Sequence, residues 1–223
     1  MSHCPLCMQL PEGHNPVLLF LDIDGVMIGR DQSHVSLAIG NTIKELYPGR
    51  DETHGWNRYS GLEWRAAAAR HFHPEAVEAL QSLIKKIQET RPVYMILSSQ
   101  WRNEGTLAEL RDQVFSQYEF SKLIIGKTPP EDGDCYTPEI QAGITFETSA
   151  REKYGLNLYY RAHQIKYWLL EHGLEDAEKV VFDDEYMAHL REAFGDRSIC
   201  VPYTLLTRSE TDIALRVLGL ETD

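Results

Sequence analysis

Two carboxylates spaced i, i+2 close an apolar run in Leu18-Leu19-Phe20-Leu21-Asp22-Ile23-Asp24-Gly25-Val26. Alternate side chains of an extended chain share one side, so Asp22 and Asp24 face together wherever the strand persists, and Gly25 permits a sharp turn behind them. Like charges that close repel unless a cation lies between them or one stays protonated. A hard, oxygen-seeking ion such as Mg2+ is the simplest resolution; the bland alternative is a strand end with two solvated acids. Two more strand-like runs end in polar groups. One leads into Ser98-Ser99-Gln100, hydroxyls followed by backbone N–H groups suited to an anionic oxygen. The other, Val180-Val181-Phe182, leads into Asp183-Asp184-Glu185. Carboxylates at two strand ends and a hydroxyl at a third make a divalent-metal and oxyanion site if all three ends lie on one edge of a sheet.

Such a site needs strands that run the same way. Apolar runs recur at 17–22, 93–98, 122–126, 179–183 and 197–201, with helical patterns between them. Pro74 suits a first helical position ahead of the stripe Val77, Leu80, Ile84, Ile87. Asn103 is placed to cap a helix carrying Leu107, Leu110 and Val114. Ile165, Trp168 and Leu169 mark another stripe. Ser209 and Asp212 form a capping box ahead of Ile213 and Val217, with Gly219 as the stop. Alternating strands and helices predict an α/β protein with a doubly wound parallel sheet. Residues 16–26 and 73–223 form the core of that reading, and residues 1–15 a flexible tail. An insertion over 27–72 carries helices around 35–47 and 61–71. Residues 127–159 show no periodicity. Ligands of such sheets bind outside the carboxyl ends of the strands, where the 27–72 insertion emerges.

The 223 residues suffice for one full core. A formal charge of -12, from 22 basic and 34 acidic residues, disfavours extended nucleic-acid binding. No apolar stretch is long enough to span a bilayer, so no membrane partner is expected. The N-terminus lacks the basic start and apolar core of a secretory signal, and four scattered cysteines make no disulfide framework. A cytoplasmic location is the expectation, with export by a route that uses no such signal left open. Cys4 and Cys7, near His3 and His14, lack a second ligand pair, so a tail is preferred to a zinc site. Trp56, Arg58 and Trp64 read as packing residues before substrate contacts, and metal ligation by His71 and His73 is unsupported. Nothing in the sequence indicates an oligomeric state.

Four short motifs spread over residues 17–184 resemble the haloacid dehalogenase (HAD) superfamily of phosphohydrolases, in its phosphatase branch with a small cap. The closest is Phe20-Leu21-Asp22-Ile23-Asp24-Gly25-Val26. The resemblance implies a Rossmann-like HAD core and a Mg2+-dependent phosphatase. Asp22 would be the nucleophile that forms an aspartyl-phosphate, and Asp24 the acid for the leaving group and then the base for water. The second motif matches Ser98, with Ser99 as the competing register for binding phosphate. The fourth matches Val180-Val181-Phe182-Asp183-Asp184. The implied metal site draws on Asp22, Asp24, Asp183 and Asp184, with the Ile23 carbonyl as a further ligand.

The third motif, a cation near the start of the helix before strand four, is offered by Arg161 or Lys166. At about 100° per residue, Arg161 lies roughly 40° from Ile165 and near the apolar stripe, whereas Lys166 points about 140° away from Arg161. Arg161 is the choice. Gln100-Trp101-Arg102 resembles a subset of small-cap HAD proteins, some in RNA-repair contexts. Arg102 is a candidate for a substrate phosphate, against a structural ion pair with aromatic stacking. An open catalytic edge suits a phosphate on a protein or a polynucleotide end. The acidic surface favours a phosphoprotein, phosphotyrosine-like, or a small molecule, and makes nucleic acid less favoured. The alternatives are a nucleic-acid end or nucleotide phosphatase, and a catalytically silent phospho-binding module.

Overall fold

The computed structural model describes residues 6–7, 15–29, 32–48, 61–130, 137–201 and 205–220. His3, Cys4, His14, Trp56, Arg58 and Cys135 lie outside them. β1 (Val17–Leu21) is buried along its whole length because helices cover both of its faces. It is the middle strand of an all-parallel five-stranded sheet, ordered β3-β2-β1-β4-β5. The others are β2 (Val93–Leu97), β3 (Ile124–Lys127), β4 (Glu178–Asp183) and β5 (Ser198–Cys200). The protein is α/β, with the doubly wound core that the alternation predicts.

The helices follow in chain order. α1 (Gln32–Leu46), α2 (Gly61–Ala69) and α3 (Pro74–Gln88) precede β2. α4 (Leu107–Glu109) continues as a π-helical turn, Leu110–Val114, before β3. α5 (Pro138–Gln141), α6 (Glu147–Tyr154) and α7 (Arg161–His172) lead to β4. α8 (Met187–Phe194) joins β4 to β5, and α9 (Arg208–Val217) follows β5. Alternation along β1 divides the core in two. Val17, Leu19 and Leu21 enter one half with α2, α3 and α9; Leu18 and Phe20 enter the other with α6, α7 and α8. Ile39 and Ile43 of α1, Ala66 to Ala69 of α2, and Phe72 pack into the first half.

Register positions the site. Leu21 pairs with Leu97 on one side and with Phe182 on the other. The next residue of each strand is Asp22, Ser98 and Asp183, so the three stand abreast at the carboxyl edge. The Asp22 N–H donates to the Phe182 carbonyl at 3.0 Å, and the Ser98 N–H to the Leu21 carbonyl at 3.0 Å.

Several local expectations change. Thr106, rather than Asn103, caps α4: its Oγ1 accepts from Glu109 N at 3.3 Å while Glu109 Oε2 accepts from Thr106 N at 2.8 Å. Asn103 instead ends a 3₁₀ turn, Gln100–Asn103. Thr207 with Glu210 forms the box that starts α9, displacing Ser209 with Asp212 because the earlier pair opens the helix first. Lys122 and Leu123 belong to a 3₁₀ turn, so β3 begins at Ile124. Residues 127–159 do contain helices. α6 buries only Ala150, which leaves no apolar period to read. The 1–15 segment is not free throughout: Leu6 is buried, and Cys7 bridges antiparallel to Gly126 at the outer edge of β3. Covering an edge strand this way blocks unwanted pairing. His71 Nε2 lies 2.8 Å from Thr42 Oγ1 of α1. No helix among the described residues is long and apolar enough to cross a membrane.

Candidate active site

One oxygen from each of Asp22, Asp183 and Asp184 lies within 4.8 Å of the other two, and all three residues are buried. Asp22 Oδ1 accepts from the Ile23 N–H at 2.9 Å, and Asp183 Oδ1 from the Glu185 N–H at 2.8 Å. Asp183 Oδ2 is buried without a hydrogen-bond partner among the described residues. Burial pushes the Asp183 carboxyl up to about 8; the Arg161 charge opposes this, and Asp22 and then Asp184 add repulsion.

Beyond Leu21 the chain leaves extended geometry. The N–H groups of Val26, Met27 and Ile28 converge on the Ile23 carbonyl at 3.2, 2.8 and 3.3 Å. That carbonyl is committed to the turn, which corrects its expected role as a metal ligand. The turn also takes the Asp24 side chain out of the three-acid group, so the carboxylate set is Asp22, Asp183 and Asp184. Asp24 is half-buried, and its Oδ2 accepts from the Trp101 indole Nε1 at 3.0 Å. Gly25 has φ +79°, and the Asp184 carboxylate occupies the space where a Cβ would stand.

Arg161 is the first residue of α7, whose N-terminus opens at the carboxyl edge of the sheet. Its Nη1 lies 3.8 Å from Asp22 Oδ1, and its guanidinium 5.6 Å from the Tyr186 ring centre. Lys166 is half-buried more than a turn further along α7. Ser98 and Ser99 are both fully buried, but they differ in employment. Ser99 Oγ accepts from the Trp101 N–H at 3.4 Å and caps the 3₁₀ turn, whereas Ser98 Oγ has no partner among the described residues. Ser98 is therefore the hydroxyl with capacity to spare.

Arg102 is corrected. It is buried, and its guanidinium donates to the Ser98 carbonyl at 2.9 Å, the Pro129 carbonyl at 3.1 Å and Gln164 Oε1 at 2.9 Å. Gln164 Nε2 in turn donates to the Leu158 carbonyl at 2.7 Å. Arg102 thus ties the end of β2 to α7. These three acceptors give it a structural role, in place of the expected contact with a substrate phosphate. The indole contact to Asp24 and the packing of Asp184 on Gly25 went unread in the sequence, because both join positions far apart in the chain with no periodic signal. A 670 Å³ groove lined by α3 and α9 contains none of these residues, so convergence rather than cavity size marks the site.

A family model described as the HAD domain in Swiss Army Knife RNA repair proteins matches residues 18–209. The chain belongs to this family. With membership comes the coarse assignment of this HAD domain to the HAD-type hydrolases. Among solved structures, a haloacid dehalogenase-like family hydrolase from Streptococcus pneumoniae aligns over 94% of this chain and 92% of its own, at 12% identity and a TM-score of 0.40. No curated protein matches the chain.

HAD enzymes work with a metal ion, and the residues of this domain fit one. The donor set is entirely carboxylate, as a hard divalent cation prefers. Three acids within 4.8 Å, one with an unsatisfied buried oxygen, also need positive charge to stand together ionised.

Proposed function

We propose that this HAD domain is a Mg2+-dependent phosphomonoesterase that works through an aspartyl-phosphate on Asp22, and that its substrate is a phosphorylated polynucleotide end. The observation that carries the first part is the convergence of Asp22, Asp183 and Asp184 within 4.8 Å, beside Arg161. Asp22, Asp183 and Asp184 would hold the ion. When bound, it supplies positive charge that offsets repulsion between a phosphate dianion and the carboxylates.

The chain's own groups do the rest. Asp22 attacks phosphorus, and a covalent intermediate divides one difficult displacement into two easier ones. Arg161 keeps its charge at any working pH and neutralises both Asp22 and the incoming phosphate. The Ser98 hydroxyl, without a hydrogen-bond partner among the described residues, would donate to a phosphate oxygen as charge shifts during attack. Asp24 gives its proton to the leaving oxygen, then takes one from the attacking water.

Three features support a polynucleotide end. The family is named for RNA repair proteins. Tyr159 is 62% exposed just ahead of α7, offering an aromatic ring on which a base stacks. The charge of -12 restricts favourable backbone contact to a short stretch, as at a terminus. The test is hydrolysis of 3′- and 5′-phosphorylated oligonucleotides, a phosphotyrosine peptide and a sugar phosphate, with and without Mg2+. The expected result is Mg2+-dependent turnover with an oligonucleotide favoured, and a loss of about a thousandfold or more in Asp22→Asn. Full activity in that variant would remove the nucleophile; preference for the peptide would move the substrate to protein.

A further inference from the structure

Trp101 is 1% exposed, yet its Nε1–H is aimed at the half-buried Asp24, with Oδ2 3.0 Å away. The indole is held from several sides. Phe72 and Phe115 pack on it with ring centres 5.6 and 6.2 Å away. The Arg65 guanidinium of α2 lies 5.0 Å over the ring, and Arg65 is itself held by Glu104 at 3.2 Å. Ser99 Oγ fixes the Trp101 backbone N–H at 3.4 Å. A buried tryptophan needs some acceptor for its N–H. Here the acceptor is the residue assigned to protonate the leaving group.

We infer that Trp101 is a positioning residue for the general acid Asp24, an inference that rests on the reading of Asp24 given above. An indole N–H only donates, so Oδ2 stays an acceptor and the transferable proton is carried on Oδ1. In the first step the bond from Asp22 to phosphorus forms, the ester P–O bond breaks, and the Oδ1 proton goes to the departing oxygen. In the second, water oxygen bonds to phosphorus, the Asp22–phosphorus bond breaks, and a water proton returns to Asp24. The indole N–H restrains the carboxyl torsion, and its loss leaves the proton aimed less often. The cation over the ring strengthens the indole as a donor, which links α2 of the 27–72 insertion to the acid.

The test replaces Trp101 with phenylalanine and, separately, with β-(3-benzothienyl)alanine, which keeps the indole shape and exchanges N–H for sulfur. The benzothienyl variant carries the measurement if Trp101→Phe does not fold. A nitrophenolate leaves with little help from a proton, whereas an alkoxide needs one. kcat/KM should fall by about threefold on p-nitrophenyl phosphate and by about thirtyfold or more on an alkyl phosphate such as glycerol 2-phosphate. Equal losses on the two substrates, or no loss on either, would overturn the inference, since a merely structural role does not distinguish leaving groups. Asp24→Asn is the control. If its own losses are indifferent to the leaving group, the general-acid reading fails and the inference goes with it. If its losses are steep while those of the Trp101 variants are flat, the inference alone is overturned.

Discussion

Gly25→Ala should weaken metal binding while leaving the sheet intact. Two effects act at this position. At φ +79°, a residue with a Cβ pays about 1–2 kcal/mol for the left-handed backbone. The new methyl would also overlap Asp184: Oδ2 and Cγ fall inside the 3.0 Å approach that Cβ atoms respect, and Oδ1 lies at 3.1 Å. Clearing that overlap moves the carboxylate by about 1 Å, roughly half of a Mg2+–oxygen bond length, which would weaken its hold on an ion shared with Asp22 and Asp183. Stability should fall by about 2 kcal/mol, or roughly 4–8 °C for a chain of this size. The concentration of Mg2+ that half-saturates activity should rise about tenfold to a hundredfold. Thermal unfolding with and without Mg2+ measures the first effect and the ion's stabilisation; a Mg2+ titration of hydrolysis measures the second. A variant with wild-type half-saturation by Mg2+ would refute the placement of Asp184 beside a metal.

Other perturbations separate architecture from chemistry. Ser98→Ala should change stability by no more than about 0.5 kcal/mol, because the Oγ has no partner among the described residues to lose, while kcat/KM falls about tenfold to a hundredfold; a large loss of urea resistance would make the hydroxyl structural. Lys127 and Glu139 form a buried pair at 2.7 Å, and Lys127 also donates to the Arg102 and Gly105 carbonyls. Lys127→Met should therefore cost about 3–5 kcal/mol in urea unfolding, and Lys127→Met with Glu139→Leu should recover much of it. In EDTA the Asp183 carboxyl, moved from 3.8 to about 8, holds a proton in the folded state that the unfolded chain has released. The unfolded state then binds fewer protons, so stability should decline as pH rises across that window and level off above it. Asp183→Asn should flatten the decline; an unchanged slope in that variant would assign it to other groups.

The fold was legible where a physical constraint leaves a local trace. Five apolar residues in a row before Asp22 meant burial on two faces, and β1 has helices against both. The polar strand ends were legible for the same reason, since Asp22, Ser98 and Asp183 each interrupt an apolar run. The angular argument that separated Arg161 from Lys166 has its counterpart in the 3.8 Å approach of Arg161 to Asp22. What stayed hidden depends on register and distant packing. Nothing near Gly25 in the chain says that Asp184 fills its missing side chain, and nothing near Arg102 names Gln164 as its acceptor. Competing caps were equally hidden: Thr106 and Thr207 prevail over Asn103 and Ser209 by where the helix begins, which tertiary packing decides.

The acid-bearing turn is held from three directions, and this bears on how the site selects its substrate. Gly25 is packed by the Asp184 carboxylate after β4, and Asp24 is held by Trp101 after β2. From the far side, the Leu206 N–H donates to the Val26 carbonyl at 2.8 Å, next to Leu205 at φ +83°. A leucine in that conformation costs about 1–3 kcal/mol and persists only where its surroundings hold it. Strain of that kind beside the turn is consistent with a fold that favours a fixed Asp22–Asp24 geometry over local relaxation. Positioning by rigid groups lowers the reorganisation needed during attack. Discrimination among phosphate esters then falls to groups outside the turn, and the exposed Tyr159 ring ahead of α7 is a candidate. Replacing Tyr159 with alanine should therefore raise KM for a phosphorylated oligonucleotide about tenfold or more while kcat on p-nitrophenyl phosphate stays within about twofold. Equal losses on the two substrates would place selection in the acid turn itself and contradict this division of labour.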